Sequence, residues 1–366
     1  MVVFPYPRRA GKAPRIVAGT RTTTERGRIV LGTRHGRCGA GSLIATTVLV
    51  ISCLAGCGAR DAIAPSPSAT RPTGTVAPSP TASAPPTAAT PAPPPTASPD
   101  APTVLLAAGD IGRCDSTHDD ATGALVASMN GVVATLGDTA YEDGTAQELA
   151  DCFGGSWGAA KDRIRFAVTG NHDIHTAGGA PLQAYMGSAA ARDGKTWFSE
   201  DLGAWHVVVL DGNCGLLGRR CSSGSEQEQW LREDLAASNA RCTVALLHQP
   251  RFSSGQHGND DGVRPLWDTL YAAGADLVLD GHDHEYERFA PQDPAGNADD
   301  ARGIVEIVAG TGGAELEAFK EARPNSVARI NDTYGVLELT LLDDSWSSRF
   351  VGVDGMVHDQ GTGTCH

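Results

Sequence analysis

Apolar runs of strand length alternate with amphipathic segments from residue 103 onwards, and this alternation predicts the fold class. Residues 225–238 (SEQEQWLREDLAAS) place Trp230 and Leu235 among charged residues, as a surface helix does. A second helix is expected over residues 263–275 (VRPLWDTLYAAGA). The runs that predict strands are 103–109 (TVLLAAG), 132–137 (VVATLG), 163–170 (RIRFAVTG), 204–212 (AWHVVVLDG), 243–248 (TVALLH) and 276–282 (DLVLDGH). Strands that alternate with helices indicate an α/β domain.

The last part of the sequence has a different pattern, because strand-like stretches follow one another with no helix between them. These stretches are residues 303–313 (GIVEIVAGTGG) and 334–355 (YGVLELTLLDDSWSSRFVGVDG). They resemble hairpin strands, which pair in antiparallel fashion. We therefore expect mixed sheets.

Composition divides the chain into three parts. Residues 1–57 run from a basic segment to a short apolar stretch (SLIATTVLVISCLAGC), an order typical of an export signal. The ending LAGC resembles the lipobox of bacterial lipoproteins, so lipidation at Cys57 is expected; a plain cleaved signal or a single anchoring helix are the alternatives. Residues 58–102 consist mostly of Ala, Pro, Ser, Thr and Gly, with 13 of the 22 prolines, and predict a disordered linker. Residues 103–366 are long enough for one substantial domain.

Charge restricts the class of partner. The chain has a formal charge of −14 at pH 7, and removal of the basic leader would leave a mature chain near −22. Such an acidic protein would repel nucleic acid and anionic membranes. Any membrane contact is therefore expected only through a lipid anchor at Cys57 or an uncleaved signal helix.

Six cysteines lie in the 103–366 domain, and an even number in an exported domain suggests disulfides. Their local spacing favours a bond between Cys214 and Cys221. A zinc site is the alternative, but no CxxC spacing supports it.

Residue types that bind metals follow the predicted strands. Ligands in open α/β sheets bind beyond the carboxyl ends of strands, so donors at five such ends could converge on one site. Each position has an ordinary alternative, such as a turn, a helix cap or a packed histidine, but five coincidences favour a site. The donors are Asp110, Asp138, Asn171 with His172, His248, and His282 with His284.

These motifs carry a family resemblance. GDIG (109–112), GDTAY (137–141), GNHD (170–173), LLH (246–248) and GHDH (281–284) resemble, in the same order, the motifs of metallophosphoesterases, and most of all those of purple acid phosphatases. The resemblance spans about residues 103–290. It implies a four-layer α/β/β/α sandwich of two mixed sheets flanked by helices.

The resemblance also implies a ligand set. Most metallophosphoesterases have a histidine at the position of Gly112, whereas purple acid phosphatases use a tyrosine ligand, here Tyr141. One metal, ferric iron in the family, would be held by Asp110, Asp138, Tyr141 and His284. Asp138 would bridge to a second metal, Fe(II), Zn or Mn, completed by Asn171, His248 and His282. A phenol with a reference pKa of about 10 needs a strong Lewis acid to stay ionised.

Two further histidines are candidates for catalysis. HQPRFSSGQHG (248–258) is similar to a stretch of the small, tartrate-resistant type of purple acid phosphatase, and this similarity implies that His257 lies near the substrate. His172 and His257 would stabilise the transition state and protonate the leaving oxygen, or else act only in hydrogen bonding around the site. Asp173, His175 and Asp283 are interpreted as structural.

The implied function is extracytoplasmic hydrolysis of small phosphate monoesters, with a metal-bound hydroxide attacking phosphorus in line. A phosphodiesterase on the same two-metal centre is the alternative. A surface-binding protein on a decayed enzyme scaffold is a third hypothesis, and the complete ligand set argues against it.

Overall fold

The computed structural model describes residues 102–216 and 221–366, which form two β-sheets and the helices that cover them. The strands are β1 (Thr103–Ala108), β2 (Val132–Thr135), β3 (Ile164–Ala167), β4 (Phe198–Leu202), β5 (Trp205–Val209), β6 (Cys242–Leu246), β7 (Leu277–Asp280), β8 (Tyr286–Phe289), β9 (Val305–Ala309), β10 (Ser326–Ile330), β11 (Gly335–Leu341), β12 (Ser345–Gly352) and β13 (Val357–Thr364). The α-helices are α1 (His118–Ser128), α2 (Ala146–Glu148), α3 (Gly154–Ser156), α4 (Ala180–Met186), α5 (Glu226–Ala237) and α6 (Arg264–Ala273).

Other helical turns extend these helices. A π-helical turn, Leu149–Phe153, joins α2 to α3, and 3₁₀ turns cover Gly158–Arg163, Ala177–Gly179 and Gly187–Ala189. The predicted export signal (1–57) lies outside the described residues, as does the predicted linker (58–102) except for Pro102. Within the described residues, no helix is both long enough and apolar enough to cross a membrane.

Both sheets are mixed, as predicted. The first has the order β13-β12-β11-β1-β2-β3, and its strands β1, β2 and β3 are parallel. The second has the order β10-β8-β9-β7-β6-β5-β4, with parallel pairing from β9 to β5. The remaining neighbours pair in antiparallel fashion.

Side-chain alternation along the strands creates four layers. In β1, Leu105 and Ala107 belong to a core that also contains residues of the second sheet, so they lie between the sheets. Leu106 and Ala108 belong to another core that includes helical residues such as Phe153. A third core packs the far face of the second sheet against α5 and α6. The predicted α/β/β/α sandwich is therefore confirmed.

The carboxyl ends of the parallel strands meet where the two sheets adjoin. The Gly109 N–H after β1 donates to the Ala309 carbonyl of β9 at 2.9 Å. Likewise, Nδ1 of His248, which follows β6, lies 2.7 Å from the Leu136 carbonyl oxygen after β2. The loops after strands of both sheets consequently face one another.

Three disulfides pair all six cysteines of the described part of the chain. They are Cys114–Cys152, Cys214–Cys221 and Cys242–Cys365. The expected Cys214–Cys221 bond is confirmed. The third bond connects β6 of one sheet to the residue after β13 of the other.

Candidate metal centre

Three of the predicted ligands have a backbone conformation that residues other than glycine rarely adopt. The φ angles are 60° at Asp110, 47° at Asp138 and 72° at His282. Each of these left-handed residues costs about 1–3 kcal/mol, and such residues cluster at functional sites. The strand ends are therefore shaped to direct these side chains to one place.

The first group of donors surrounds the Tyr141 hydroxyl. Its oxygen lies 2.8 Å from Asp110 Oδ1, 3.1 Å from His284 Nε2 and 3.3 Å from Asp138 Oδ2. His284 Nε2 is also 3.4 Å from Asp110 Oδ1. Four donors from three separate loops thus converge within hydrogen-bonding distances.

The second group lies on the other side of Asp138. His248 Nε2 is 3.2 Å from Asp138 Oδ2 and 3.1 Å from Asn171 Oδ1. Asp138, His248 and His282 each offer a donor atom within 4.8 Å of the other two. The same oxygen, Asp138 Oδ2, therefore contacts both groups.

Hydrogen bonds orient these donors. His248 Nδ1 lies 2.7 Å from the Leu136 carbonyl, and His284 Nδ1 lies 2.9 Å from the Glu315 carbonyl. A carbonyl can only accept, so each Nδ1 carries a proton and Nε2 faces the centre. The second oxygen of each carboxylate is also occupied, since Asp138 Oδ1 accepts the His172 N–H at 2.8 Å and Asp110 Oδ2 accepts the His282 N–H at 2.8 Å.

Electrostatics favour positive charge at this centre. Burial raises the pKa of the Tyr141 phenol well above its usual value of 10.0, and the charges of Asp110 and Asp138 raise it further. Burial opposes the charged form of His248, but the Asp138 carboxylate overrides it and raises the pKa to about 10. Burial and the charge of His248 lower the pKa of His282 to about 3. The buried carboxylates thus stabilise a positive charge on His248, while burial and that charge keep His282 neutral.

The donor set fits two metal ions. Asp110 and Asp138 are almost fully buried, and such carboxylates need a strong positive partner. Imidazole, carboxylate and amide donors suit divalent transition metals, and the phenol suits a harder, more highly charged ion that would favour the phenolate.

The two candidate catalytic histidines flank the cluster. The His172 ring lies 4.6 Å from the Tyr141 ring, and its Nδ1 is 2.7 Å from the Glu142 carbonyl. The His257 ring lies 4.1 Å from the His282 ring. All nine residues predicted for the site are thus brought together, with one exposed or partly exposed histidine beside each group of donors.

Close packing supports the loops beneath the donors. A Cβ at Gly170 would lie 2.1 Å from Asp138 Oδ1, and a Cβ at Gly137 would lie 2.4 Å from His248 Nδ1. Asp173 accepts the N–H groups of Thr139 at 3.0 Å and Gly170 at 2.9 Å. Larger residues at either glycine would displace a donor.

One supporting residue was missed by the sequence analysis. Asn213 follows β5, and its amide donates to the Thr169 carbonyl at 3.0 Å, just before Asn171. It also donates to Asp211 Oδ1 at 3.0 Å. The strand-end criterion that identified the other donors applies equally to the DGN sequence at 211–213, and would have found it.

Comparison with protein families gives a match over most of the region that carries these motifs. The calcineurin-like phosphoesterase family model matches residues 103–286. This range contains every predicted site residue.

Curated relatives include phosphatases of Arabidopsis thaliana. The chain is 30% identical over 237 residues to purple acid phosphatase 22, a match covering 58% of this chain and 50% of that protein. It is 28% identical over 209 residues to probable inactive purple acid phosphatase 1, a match covering 50% of this chain and 33% of that protein. The chain thus spans half the length, or less, of these two relatives.

Solved structures share the fold. A purple acid phosphatase from yellow lupin seeds superposes with a TM-score of 0.56 at 19% identity, covering 72% of this chain and 54% of that one. The resemblance to metallophosphoesterases with purple acid phosphatase relatives is confirmed.

Proposed function

The chain belongs to the calcineurin-like phosphoesterase family, and on this premise we propose that it hydrolyses small phosphate monoesters at a two-metal centre, as an acid phosphatase does. The observation that carries the proposal is the position of Asp138 Oδ2, 3.3 Å from the Tyr141 hydroxyl and 3.2 Å from His248 Nε2. An oxygen shared in this way by two donor groups suits a carboxylate that bridges two ions.

The proposed ligands divide into two sets around Asp138. Asp110, Tyr141 and His284 would hold an ion with Fe(III) character, while Asn171, His248 and His282 would hold Fe(II), Zn or Mn. When bound, two such ions supply the positive charge that attracts a phosphate ester and activates water as the nucleophile. This local charge also explains how a chain of net charge −14 would bind an anion.

His172 and His257 would act on the substrate. The Nδ1–H of His172 donates a hydrogen bond to the Glu142 carbonyl at 2.7 Å, so in the imidazolium form the Nε2–H would donate to a phosphoryl oxygen. His257 lies on the opposite side, stacked on His282, where it would give a proton to the departing alcohol.

Replacement of the shared carboxylate tests the proposal. We expect Asp138→Ala to lose both bound metal, measured by elemental analysis, and hydrolysis of 4-nitrophenyl phosphate. Asp162→Ala, which changes an exposed aspartate, is the matched control and should keep both. An Asp138→Ala protein that retains turnover would refute this centre.

Two outcomes separate the alternatives. Faster turnover of bis(4-nitrophenyl) phosphate than of the monoester would favour a phosphodiesterase. A wild-type protein that binds no metal would favour the binding-protein hypothesis, and one matched relative is itself named probably inactive.

We also propose that the domain works outside the cytoplasm, anchored through a lipid on Cys57. Three disulfides support an oxidising compartment. Labelling cells with a fatty-acid analogue should mark the wild-type protein and leave Cys57→Ala unmarked. Equal labelling of both proteins would contradict the anchor.

A further inference from the structure

A row of buried acidic side chains holds the loop that carries His257. Asp283, Glu285 and Glu287 alternate along the chain, Glu306 lies on the neighbouring strand β9, and all four are fully buried. Each accepts hydrogen bonds from residues 251–258. The donors are the N–H groups of Arg251 and Phe252 to Glu306, the hydroxyl of Ser253 to Glu285, the N–H and hydroxyl of Ser254 to Glu287, and the N–H groups of His257 and Gly258 to Asp283.

Of the four acids, Asp283 is the one that contacts His257 itself. Its Oδ1 accepts the His257 N–H at 2.7 Å, and its Oδ2 accepts the Gly258 N–H at 3.2 Å. Two consecutive amides bound by one carboxylate fix the backbone at His257, and charged acceptors make the stronger hydrogen bonds. Gly258 has a φ of 74°, so the chain turns immediately after this anchor.

Asp283 links His257 directly to the segment of chain that carries two of the proposed metal ligands. Asp283 stands between His282 and His284 in the sequence, and the His257 ring lies 4.1 Å from the His282 ring at an angle of 32°. Donor atoms of His257, Asp283 and Glu317 lie within 4.8 Å of one another. The backbone that presents two donors therefore also sets the position of the exposed imidazole.

We propose that Asp283 is a positioning residue, which holds the His257 imidazole at the place where the leaving oxygen of the phosphate ester departs. The inference rests on the proposed function and deepens it. In the step concerned, water adds its oxygen to phosphorus and gives one proton to the surrounding water, while the bond from phosphorus to the alcohol oxygen breaks. That oxygen keeps the electron pair and takes a proton from the His257 imidazolium, which becomes neutral.

Asp283→Asn tests this role, because asparagine keeps the size of the side chain but presents an NH₂ group to a backbone N–H. The matched control is Glu287→Gln, which weakens the same loop at Ser254 rather than at His257. Metal content, kcat and KM would be measured with an alkyl phosphate, whose leaving group needs a proton, and with 4-nitrophenyl phosphate, whose leaving group does not.

We expect Asp283→Asn to retain its metals and to lose about 100-fold in kcat on the alkyl phosphate, with little change on 4-nitrophenyl phosphate. Glu287→Gln should affect both esters alike. The double variant Asp283→Asn/His257→Ala should be no slower than His257→Ala alone, since both remove the same proton donor. Equal losses on both esters, multiplied losses in the double variant, or loss of metal would overturn the proposal.

A second variant covers the case in which Asp283→Asn fails to fold. Gly258→Ala forces a side chain onto a left-handed residue, 3.3 Å from Arg323 Nη2, and disturbs the same segment without altering an acid. It should give the same selective loss on the alkyl phosphate, and an unselective loss would count against the proposal.

A readout without turnover separates this inference from the proposed function. The rate at which diethyl pyrocarbonate modifies His257, followed by mass spectrometry, should rise in Asp283→Asn and stay unchanged in Glu287→Gln. A metal-loaded wild-type protein that hydrolyses neither ester would refute the proposed function only. Unchanged reactivity of His257 in Asp283→Asn would refute the positioning role.

Discussion

Position 112 has no room for a side chain, and this explains why a tyrosine at position 141, rather than a histidine at position 112, lies beside Asp110. A Cβ on Gly112 would lie 2.9 Å from both the Phe153 nitrogen and the Thr139 carbonyl oxygen, which are backbone atoms that cannot swing away. A histidine at this position would require the loops to separate. Tyr141 instead brings its hydroxyl to 2.8 Å from Asp110 Oδ1.

Replacing Tyr141 should remove a visible absorption band. If the phenol binds Fe(III), the wild-type protein should show a visible tyrosinate-to-iron absorption band, and Tyr141→Phe should lose the band because it lacks the oxygen. Tyr185→Phe, which changes a tyrosine packed over Lys161, should keep the band. A colourless wild-type protein that contains only divalent metals would contradict the iron assignment.

At the scale of elements, His206 connects β5 to α5. Its Nε2 lies 2.9 Å from Asp234 Oδ2 on the helix, and its Nδ1 lies 2.8 Å from Asp201 Oδ1 on β4. The hydrogen bond to Asp234 raises the pKa of His206 above 6.5, helped by the bond to Asp201 and against the effect of burial. The charged imidazole therefore fastens the helix to the edge of its sheet.

This contact predicts a pH-dependent stability. A raised pKa in the folded state stabilises the protein fully below the unfolded-state pKa, about 6.5, and the effect is lost as pH rises through the folded-state pKa. Wild type should exceed His206→Gln by ~1–2 kcal/mol in free energy of unfolding at pH 5.5, and by less at pH 9. Urea titrations of both proteins at each pH would measure it, and a difference that grows with pH would contradict the interpretation.

The strands that the sequence predicted and the strands that it missed occupy different parts of the two sheets. The six predicted strands β1, β2, β3, β5, β6 and β7 are correct, because each is an apolar run in the parallel part of a sheet. The patterning missed four strands. Three of them, β4, β10 and β13, lie at sheet edges, where few positions face a core, and the fourth, β8, lies between β10 and β9 but has only four residues (YERF), two of them charged. In β13 (VHDQGTGT) every residue is at least partly exposed, so no apolar alternation exists to detect.

The site was more predictable than the edges for a related reason. The carboxyl ends of parallel strands lie along one edge of their sheet, so Asp110 with Asp138, and His248 with His282, could each be assigned to one place. That these two edges adjoin was implied only by the family resemblance. The hydrogen bond from His284 Nδ1 to Glu315, 31 residues away, depends instead on the path of a long loop. No periodicity in the sequence encodes that path.

At the scale of the whole molecule, Cys242–Cys365 closes the longest loop of the three disulfides and ties one sheet to the other. The bonded residues are 123 apart, compared with 7 for Cys214–Cys221. In the chain-entropy account, a cross-link stabilises more when the loop it closes is longer.

Removing each bond should therefore have unequal effects. We expect Cys242→Ser/Cys365→Ser to lower the free energy of unfolding by about 4–5 kcal/mol, and Cys214→Ser/Cys221→Ser to lower it by about 2–3 kcal/mol. Chemical denaturation of both double variants would measure the difference. A larger loss from the short loop would show that local contacts, rather than chain entropy, set the contribution of these bonds.

The meeting of the two sheets at one set of donors has a consequence for the lifetime of the protein in its environment. Asp138 and Asn171 come from one sheet and His248 and His282 from the other, so only the assembled sandwich can bind an ion tightly. An ion at 100 times its dissociation constant would add about 2.7 kcal/mol to the native state. Metal scarcity would then make the domain more sensitive to proteases as well as less active. Digestion with and without a chelator would measure how much bound metal protects the domain from proteolysis.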